Sequence, residues 1–361
     1  MNDQILKLTK QLMAIQTTKD NKKGLDAALE LVRKELRDDF VIEEFENEGV
    51  KSILVHNAKQ GTKKFKVILN GHVDVIAPSQ KQSTTFEKNG KLFGRGSYDM
   101  KAALAAMTFV FKNTAKKLSH PIAFQVVTDE EIGGFNGVAY QIKQGLRSDF
   151  VIVGDCGSDL NIIDKAKGIL WLKLHAEGVK AHGAYLWRGE NALWKIHNAL
   201  ASLHKIFPVP AKEAWVSTMN LAKIETDNNA FNHVPDGASA YLDFRFTHEE
   251  EKEILNKIIK AVSPDVNVEV MFKNAPEYIS HSNPYVQLLQ KAHADQLGKK
   301  AKFLATHAPS DLRHFNEINC LGVQFGPIGA HQHADGEWVD TQSVKDYYKI
   351  LERFLLSIKN S

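Results

Sequence analysis

Cysteine is nearly absent: Cys156 and Cys320 are the only two in 361 residues. Two thiols build neither a disulfide framework nor a thiolate zinc site, so a reducing cytoplasm is the expected location. Long apolar runs are missing too. No stretch reaches the roughly 20 residues that cross a bilayer, and the amphipathic start MNDQILKLTKQL holds no signal-peptide core. Nor does one charge dominate. The 46 basic and 43 acidic side chains leave +3, which gives no reason to expect nucleic acid or a membrane as partner. Internal repeats, low-complexity tracts, a phosphate-binding loop and a complete GxGxxG are also lacking.

What is there is patterned. Ile5, Leu8, Leu12 and Ile15 fall at helical spacing, and a second helix is expected around residues 25–36. Three apolar runs follow: FKVILN (65–70), PIAFQVV (121–127) and FVIVG (150–154). They read as strands buried on both faces. An alanine-rich helix, MKAALAAMTFVFKNTAKK, separates the first two. This alternation predicts an α/β domain, with a mainly parallel sheet and helices on both faces. Near Lys165 the pattern changes. GILWLKLHAEG, ASAYLDFRFT and NVEVMF read as strands, while NALWKIHNALASLHKI and HEEEKEILNKIIKAV read as helices. That order predicts a smaller α+β domain, an antiparallel sheet with two helices, inserted over 165–278. The larger domain would comprise 1–164 and 279–361, closing with a helix over 343–359.

Each buried run ends in residues that bind metals. NGHVDV supplies His72 and Asp74, TDEEIGG supplies Asp129, Glu130 and Glu131, and GDCGS supplies Asp155. Ligands in open α/β sheets gather at the carboxyl ends of strands. Taken alone, the acidic run of TDEEIGG reads first as a solvated turn. Asp99, in FGRGSYDMKAALAA, taken alone reads first as a helix cap. Asp74 stands where it can hydrogen-bond the His72 ring and fix its tautomer. In GPIGAHQHADGEWVD, spacing alone does not choose between His331 and His333.

Taken in order, NGHVDV, GRGSYDMK, TDEEIGG, GDC, GVKAHGA and HADGEWV resemble the motifs of the di-zinc peptidase and amidohydrolase family. That family includes aminoacylases, glutamate carboxypeptidases, acetylornithine deacetylase, succinyl-diaminopimelate desuccinylase and several di- and tripeptidases. The likeness implies that Asp99 bridges two divalent metals per subunit. His72 and Asp155 would complete one site, Glu131 and His333 the other. His333 is preferred because the family's histidine precedes its glutamate by four residues, here Glu337. Such donors suit Zn²⁺, and Co²⁺ or Mn²⁺ fit them as well. Glu130 would be the general base and Asp74 the partner of His72. His182, on the inserted dimerisation and lid domain, would stabilise the oxyanion, reaching into the partner's site in a homodimer. Asn232 and Arg245 would grip a substrate carboxylate, and Ser310, Asp311 and Arg313 would lie on a substrate-side loop.

The resemblance implies hydrolysis of an amide bond in an N-acyl amino acid or a short peptide. Asp155 stands where deacylase branches carry glutamate and aminopeptidase-like branches aspartate, which favours a free-amino-terminus peptide. The compact length favours a deacetylase or desuccinylase instead. Lys180 and Gly183 also depart from the commonest pattern around His182. A catalytically inactive relative would show eroded ligands, yet all five ligand positions and Glu130 are intact. A structural metal protein would close its sites with four protein ligands and need no adjacent base.

Overall fold

A computed structural model describes residues 2–79 and 84–358. The chain divides into two compact units. One comprises Met1–Lys165, Tyr278–Thr306 and Ser310–Ser361; the other comprises Ala166–Glu277 and His307–Pro309.

The larger unit is built on a mixed sheet. At its centre the strands Ile122–Val127, Lys64–His72, Arg147–Val153 and Gly322–Gln324 lie side by side and parallel. Antiparallel strands extend this parallel centre on both sides. Val50–His56 pairs with Ile122–Val127, and Ile162–Ala166 pairs with Gly322–Gln324. The outer strand Val41–Asn47 joins Val50–His56 through a tight hairpin. Its two turn residues, Glu48 (φ 49°) and Gly49 (φ 75°), supply the positive angles that match strand twist.

Burial on both faces explains the continuous apolar runs. Val67, Leu69, Phe150 and Ile152 face one core, formed with the helices Asn2–Met13, Lys22–Leu36, Ala102–Thr114, Pro284–Leu297 and Thr341–Ser357. Ile68, Val151 and Val153 face the other, against Val138 and Ile142 of one short helix and Leu312 and Phe315 of another. The alanine-rich helix carries small residues because it is buried nearly all round. The final helix is capped by Asp340, whose side chain accepts the Ser343 amide. Of the expected 343–359 segment, Lys359 lies outside the described residues.

The smaller unit has its own core. Its antiparallel sheet runs in the order Thr218–Glu225, Gly237–Phe246, Gly168–Glu177, Val266–Asn274. Two helices, Ala192–Ile206 and Ile254–Ala261, pack Ile196, Ala199, Leu203, Ile254 and Ile258 against Leu170, Leu172, Leu174 and Phe244. Residues 248–250 form only a 3-10 turn ahead of the second helix. Regular helix starts where Ile254 provides the first buried side chain, since packing rather than propensity stabilises so short a helix.

Candidate metal centre

Parallel strands place their carboxyl ends on one edge of the sheet, and the site forms there. His72 is the last residue of Lys64–His72. Glu130 and Glu131 open a short 3-10 turn after Ile122–Val127, and Asp155 follows Arg147–Val153 by two residues. Asp99 comes from an irregular turn, Ser97–Lys101, at φ −115° and ψ 95°. It is not a helix cap: the helix that follows has no side-chain cap bond. His333 stands in an exposed turn with φ 57°.

These residues form two donor groups that share Asp99: His72, Asp99 and Asp155, and Asp99, Glu131 and His333. In each group one ligand atom per residue lies within 4.8 Å of the others. Asp99 contributes a different oxygen to each imidazole. Oδ1 is 3.1 Å from His72 Nε2, and Oδ2 is 3.2 Å from His333 Nε2. Glu131 Oε2 lies 3.0 Å from the same His333 nitrogen.

The donor set fits divalent cations on electrostatic grounds as well. Burial, and then the Asp99 charge, push the Asp155 carboxyl up to about 7. Hydrogen bonds to Asp99 and Glu131 raise the His333 imidazole to about 10. Burial pulls the His72 ring down, but hydrogen bonds to Asp74 and Asp99 outweigh it and hold the ring well above its usual range. The carboxylates thus draw positive charge onto the imidazoles. A divalent cation supplies that charge more fully.

Around the donors the support is dense. The Asp74 carbonyl oxygen lies 3.0 Å from His72 Nδ1, closer than the Asp74 carboxylate at 3.5 Å. The carboxylate's other oxygen accepts the Glu131 amide at 2.9 Å. Asp74 therefore touches a residue of each donor group. Asp129 accepts the Asn136 and Gly137 amides at 2.8 and 3.0 Å and ties down the turn. The Glu130 carboxylate makes no hydrogen bond or ion pair among the described residues, while its backbone carbonyl accepts the Gly133 amide at 2.8 Å. Burial holds its carboxyl well above the usual carboxylate range, offset by the His72 charge and reinforced by Asp155.

The structure places the remaining expected residues as follows. Arg313 is buried, and its Nη2 donates to the Gly133 carbonyl at 2.7 Å, so this group braces the glutamate turn. Asp311 is fully buried, and Ser310 is 1% exposed. His182, Asn232 and Arg245 belong to the smaller unit. His182 pairs with His233 in a two-stranded ribbon and is exposed; its Nδ1 accepts the Ala184 amide at 3.1 Å. Asn232 is exposed, and its carbonyl accepts the Gly183 amide. Arg245 is half-buried and paired with Asp243 at 3.0 Å.

Three neighbours were not assigned from sequence. His314 Nε2 donates to the Gly133 carbonyl at 2.8 Å beside Arg313, and Arg95 pairs with Glu337 at 2.6 Å. Glu337, used above only as a spacing marker, is fully buried beside the Asp99 turn. Its distance from His333 was the one signal available for it.

Residues 68–357 match the model of peptidase family M20/M25/M40. Succinyl-diaminopimelate desuccinylase of Paracoccus denitrificans (strain Pd 1222) is 26% identical over 347 residues, 87% of this chain and 89% of that protein. Among solved structures, aminopeptidase PepT from Bacillus cereus ATCC 10987 has a TM-score of 0.77 at 16% identity, covering 98% of both chains. A tripeptidase from Staphylococcus aureus subsp. aureus Mu50 has a TM-score of 0.76 at 19% identity, covering 99% of this chain and 98% of that one. These two share the fold. The family match, spanning most of the chain and both donor groups, establishes this protein as a member of peptidase family M20/M25/M40 and a metallopeptidase/amidohydrolase.

Proposed function

We propose that this protein hydrolyses the amide bond of an N-acyl amino acid of the acetyl or succinyl type, using two divalent cations, Zn²⁺ foremost. His72, Asp99 and Asp155 would hold one cation, and Asp99, Glu131 and His333 the other. The observation that carries this reading is the placement of Asp99, one oxygen toward each imidazole, with Glu130 beside Glu131 on one turn. Cations held there supply Lewis-acid chemistry, polarising a carbonyl and making water more acidic. Glu130 takes a proton from the attacking water onto a carboxylate oxygen and passes it to the leaving amine nitrogen. Asp74 orients the His72 ring through its carbonyl and fixes the Glu131 backbone through its carboxylate. Arg313 and His314 hold the Gly133 carbonyl, and so the turn that carries both glutamates.

Because His182 Nδ1 accepts a hydrogen bond, its neutral ring presents Nε2–H as a donor, the group an oxyanion needs. Asn232 and Arg245 would hold the substrate carboxylate, with Arg245 exchanging Asp243 for it. Supply of His182 by a second copy in a homodimer is supported by the exposed Leu186, Trp187 and Trp194 on the same unit. Mixing Glu130→Gln with His182→Ala protein tests this: recovered turnover means the histidine acts across the dimer, and none means it acts within its own chain.

The similarity to desuccinylases supports the acyl-amino-acid substrate. Asp155 favours a second reading, an aminopeptidase-like di- or tripeptidase. Turnover by Zn²⁺-loaded protein should be measured on N-acetyl and N-succinyl amino acids and, in parallel, on peptides with free amino termini. Hydrolysis of the first panel alone is expected. Hydrolysis of the second alone establishes the peptidase, and silence on both with metal bound leaves an inactive relative.

A further inference from the structure

Glu337 lies four residues beyond His333 and is 0% exposed. A carboxylate at that depth is costly unless its oxygens are well bonded. Here they are. Oε1 accepts the Tyr98 amide at 3.0 Å and the Asp99 amide at 3.2 Å, while Oε2 accepts Arg95 Nη1 at 2.6 Å. The Gly94 amide adds a bond to the Glu337 backbone carbonyl at 2.9 Å. Segment 94–99 therefore turns its donors onto one residue, the kind of nest that backbone turns form for anions. Gly96 makes the turn possible: its φ is 80°, and a Cβ there would meet Lys101 and Val75 at 2.9 Å.

The anion in this nest belongs to the segment that supplies His333. The Asp99 turn has non-helical angles at Asp99 and Met100, so a regular helical ladder does not hold it. Glu337 does so instead, by bonding the Asp99 amide. The same contact links the turn of the shared carboxylate to the chain that carries the exposed imidazole.

We propose that Glu337 is a positioning residue of the metal centre: it fixes the backbone of Asp99 and ties the His333 segment to it. The proposal rests on the two-cation reading above. It also explains why the charge matters more than the volume. A glutamine offers a single acceptor oxygen, and its amide nitrogen would face either the Tyr98 and Asp99 amides or Arg95, donor against donor. An aspartate keeps the charge with a shorter reach.

The test uses full-length metal-free protein, titrated with Zn²⁺ against a chromophoric chelator and melted with and without Zn²⁺. Wild type should take up two equivalents. Glu337→Gln should weaken at least one of them by roughly 10- to 100-fold, the scale for lost support behind a ligand. The rise in Tm on adding Zn²⁺ should shrink, and kcat should fall more than KM changes. Glu337→Asp should recover part of each loss. Arg95→Lys keeps a donor toward Oε2 and serves if the glutamine variant does not fold, with a smaller loss in the same direction. Unchanged affinity for both equivalents in the folded variants overturns the proposal. So does a Tm loss that is equal with and without Zn²⁺, since that is the mark of a purely structural role. Wild type that binds no Zn²⁺ fails differently, because it removes the two-cation reading itself.

Discussion

At the scale of single residues, neighbours in sequence have separate tasks. Glu131 meets His333, while the carboxylate of Glu130, one residue earlier, has no partner among the described residues and is available for proton transfer. Glu130→Gln should therefore lower kcat by at least about 10²-fold, the lower range for a lost acid–base group, and leave metal content unchanged. Elemental analysis beside kinetics checks both halves. His314 carries a different signature. Burial first, then the Arg313 charge, pull its imidazole from 6.5 down to about 4, against the Gly133 carbonyl acceptor. Between those values the unfolded chain holds the proton and the folded chain does not. The His314 contribution to stability should thus fall as pH drops from 6.5 toward 4, by up to about 3 kcal/mol, and level off below. His314→Gln keeps a donor for Gly133 and should remove that component, seen as the difference from wild type in urea titrations at successive pH values.

At the scale of elements, the glutamate turn depends on a glycine. Gly134 has φ +66°, and a Cβ there would stand 2.2 Å from Asp311 Oδ1, a fully buried group. Gly134→Ala should cost more than about 1 kcal/mol, because both the angle and the space oppose it. Thermal melting would show the loss, and an unchanged Tm would mean the turn relaxes freely. The TDEEIGG string already announced this turn, but not what packs beneath it. Asp311 and His314 arrive from a distant helix, and no local spacing links them to residue 134. The hairpin over 41–56 is hard to read from sequence for another reason. Its outer strand, VIEEFEN, is only half-buried, so it has no apolar run to mark it, although Glu48-Gly49 is a recognisable turn pair. The mostly exposed edge strand Thr218–Glu225 likewise carries no apolar run to mark it.

At the scale of the whole molecule, metal binding and folding are linked. All five candidate ligands lie in the larger unit but come from segments as distant as residues 72 and 333. Among the described residues, Asp99 and Glu131 meet the imidazoles of His72 and His333, and Asp155 accepts the Cys156 amide. Removing metal with a chelator should lower Tm. Zn²⁺ at about 100 times its Kd should restore on the order of 2.7 kcal/mol per site. The smaller unit has its own core and no residue in either donor group. Hydrogen exchange should therefore show metal-dependent protection in strands such as Lys64–His72, with that of Gly168–Glu177 little changed.

Sequence alone determined the outline. Apolar runs of strand length separated by helices imply a two-sided sheet, and a run's end marks where its polar neighbours emerge. His72, Glu130, Glu131 and Asp155 were thus legible as a set, because that rule is local. Tertiary structure decided what depends on residues far apart in the chain. It set His333, the histidine that the family resemblance already preferred, against Glu131, turned the two oxygens of Asp99 toward different imidazoles, and committed Arg313 to the Gly133 carbonyl. It also buried Glu337 under the Asp99 turn. Those choices are set by distances of about 3 Å between segments up to some 240 residues apart, and hydrophobic periodicity carries no information about such contacts.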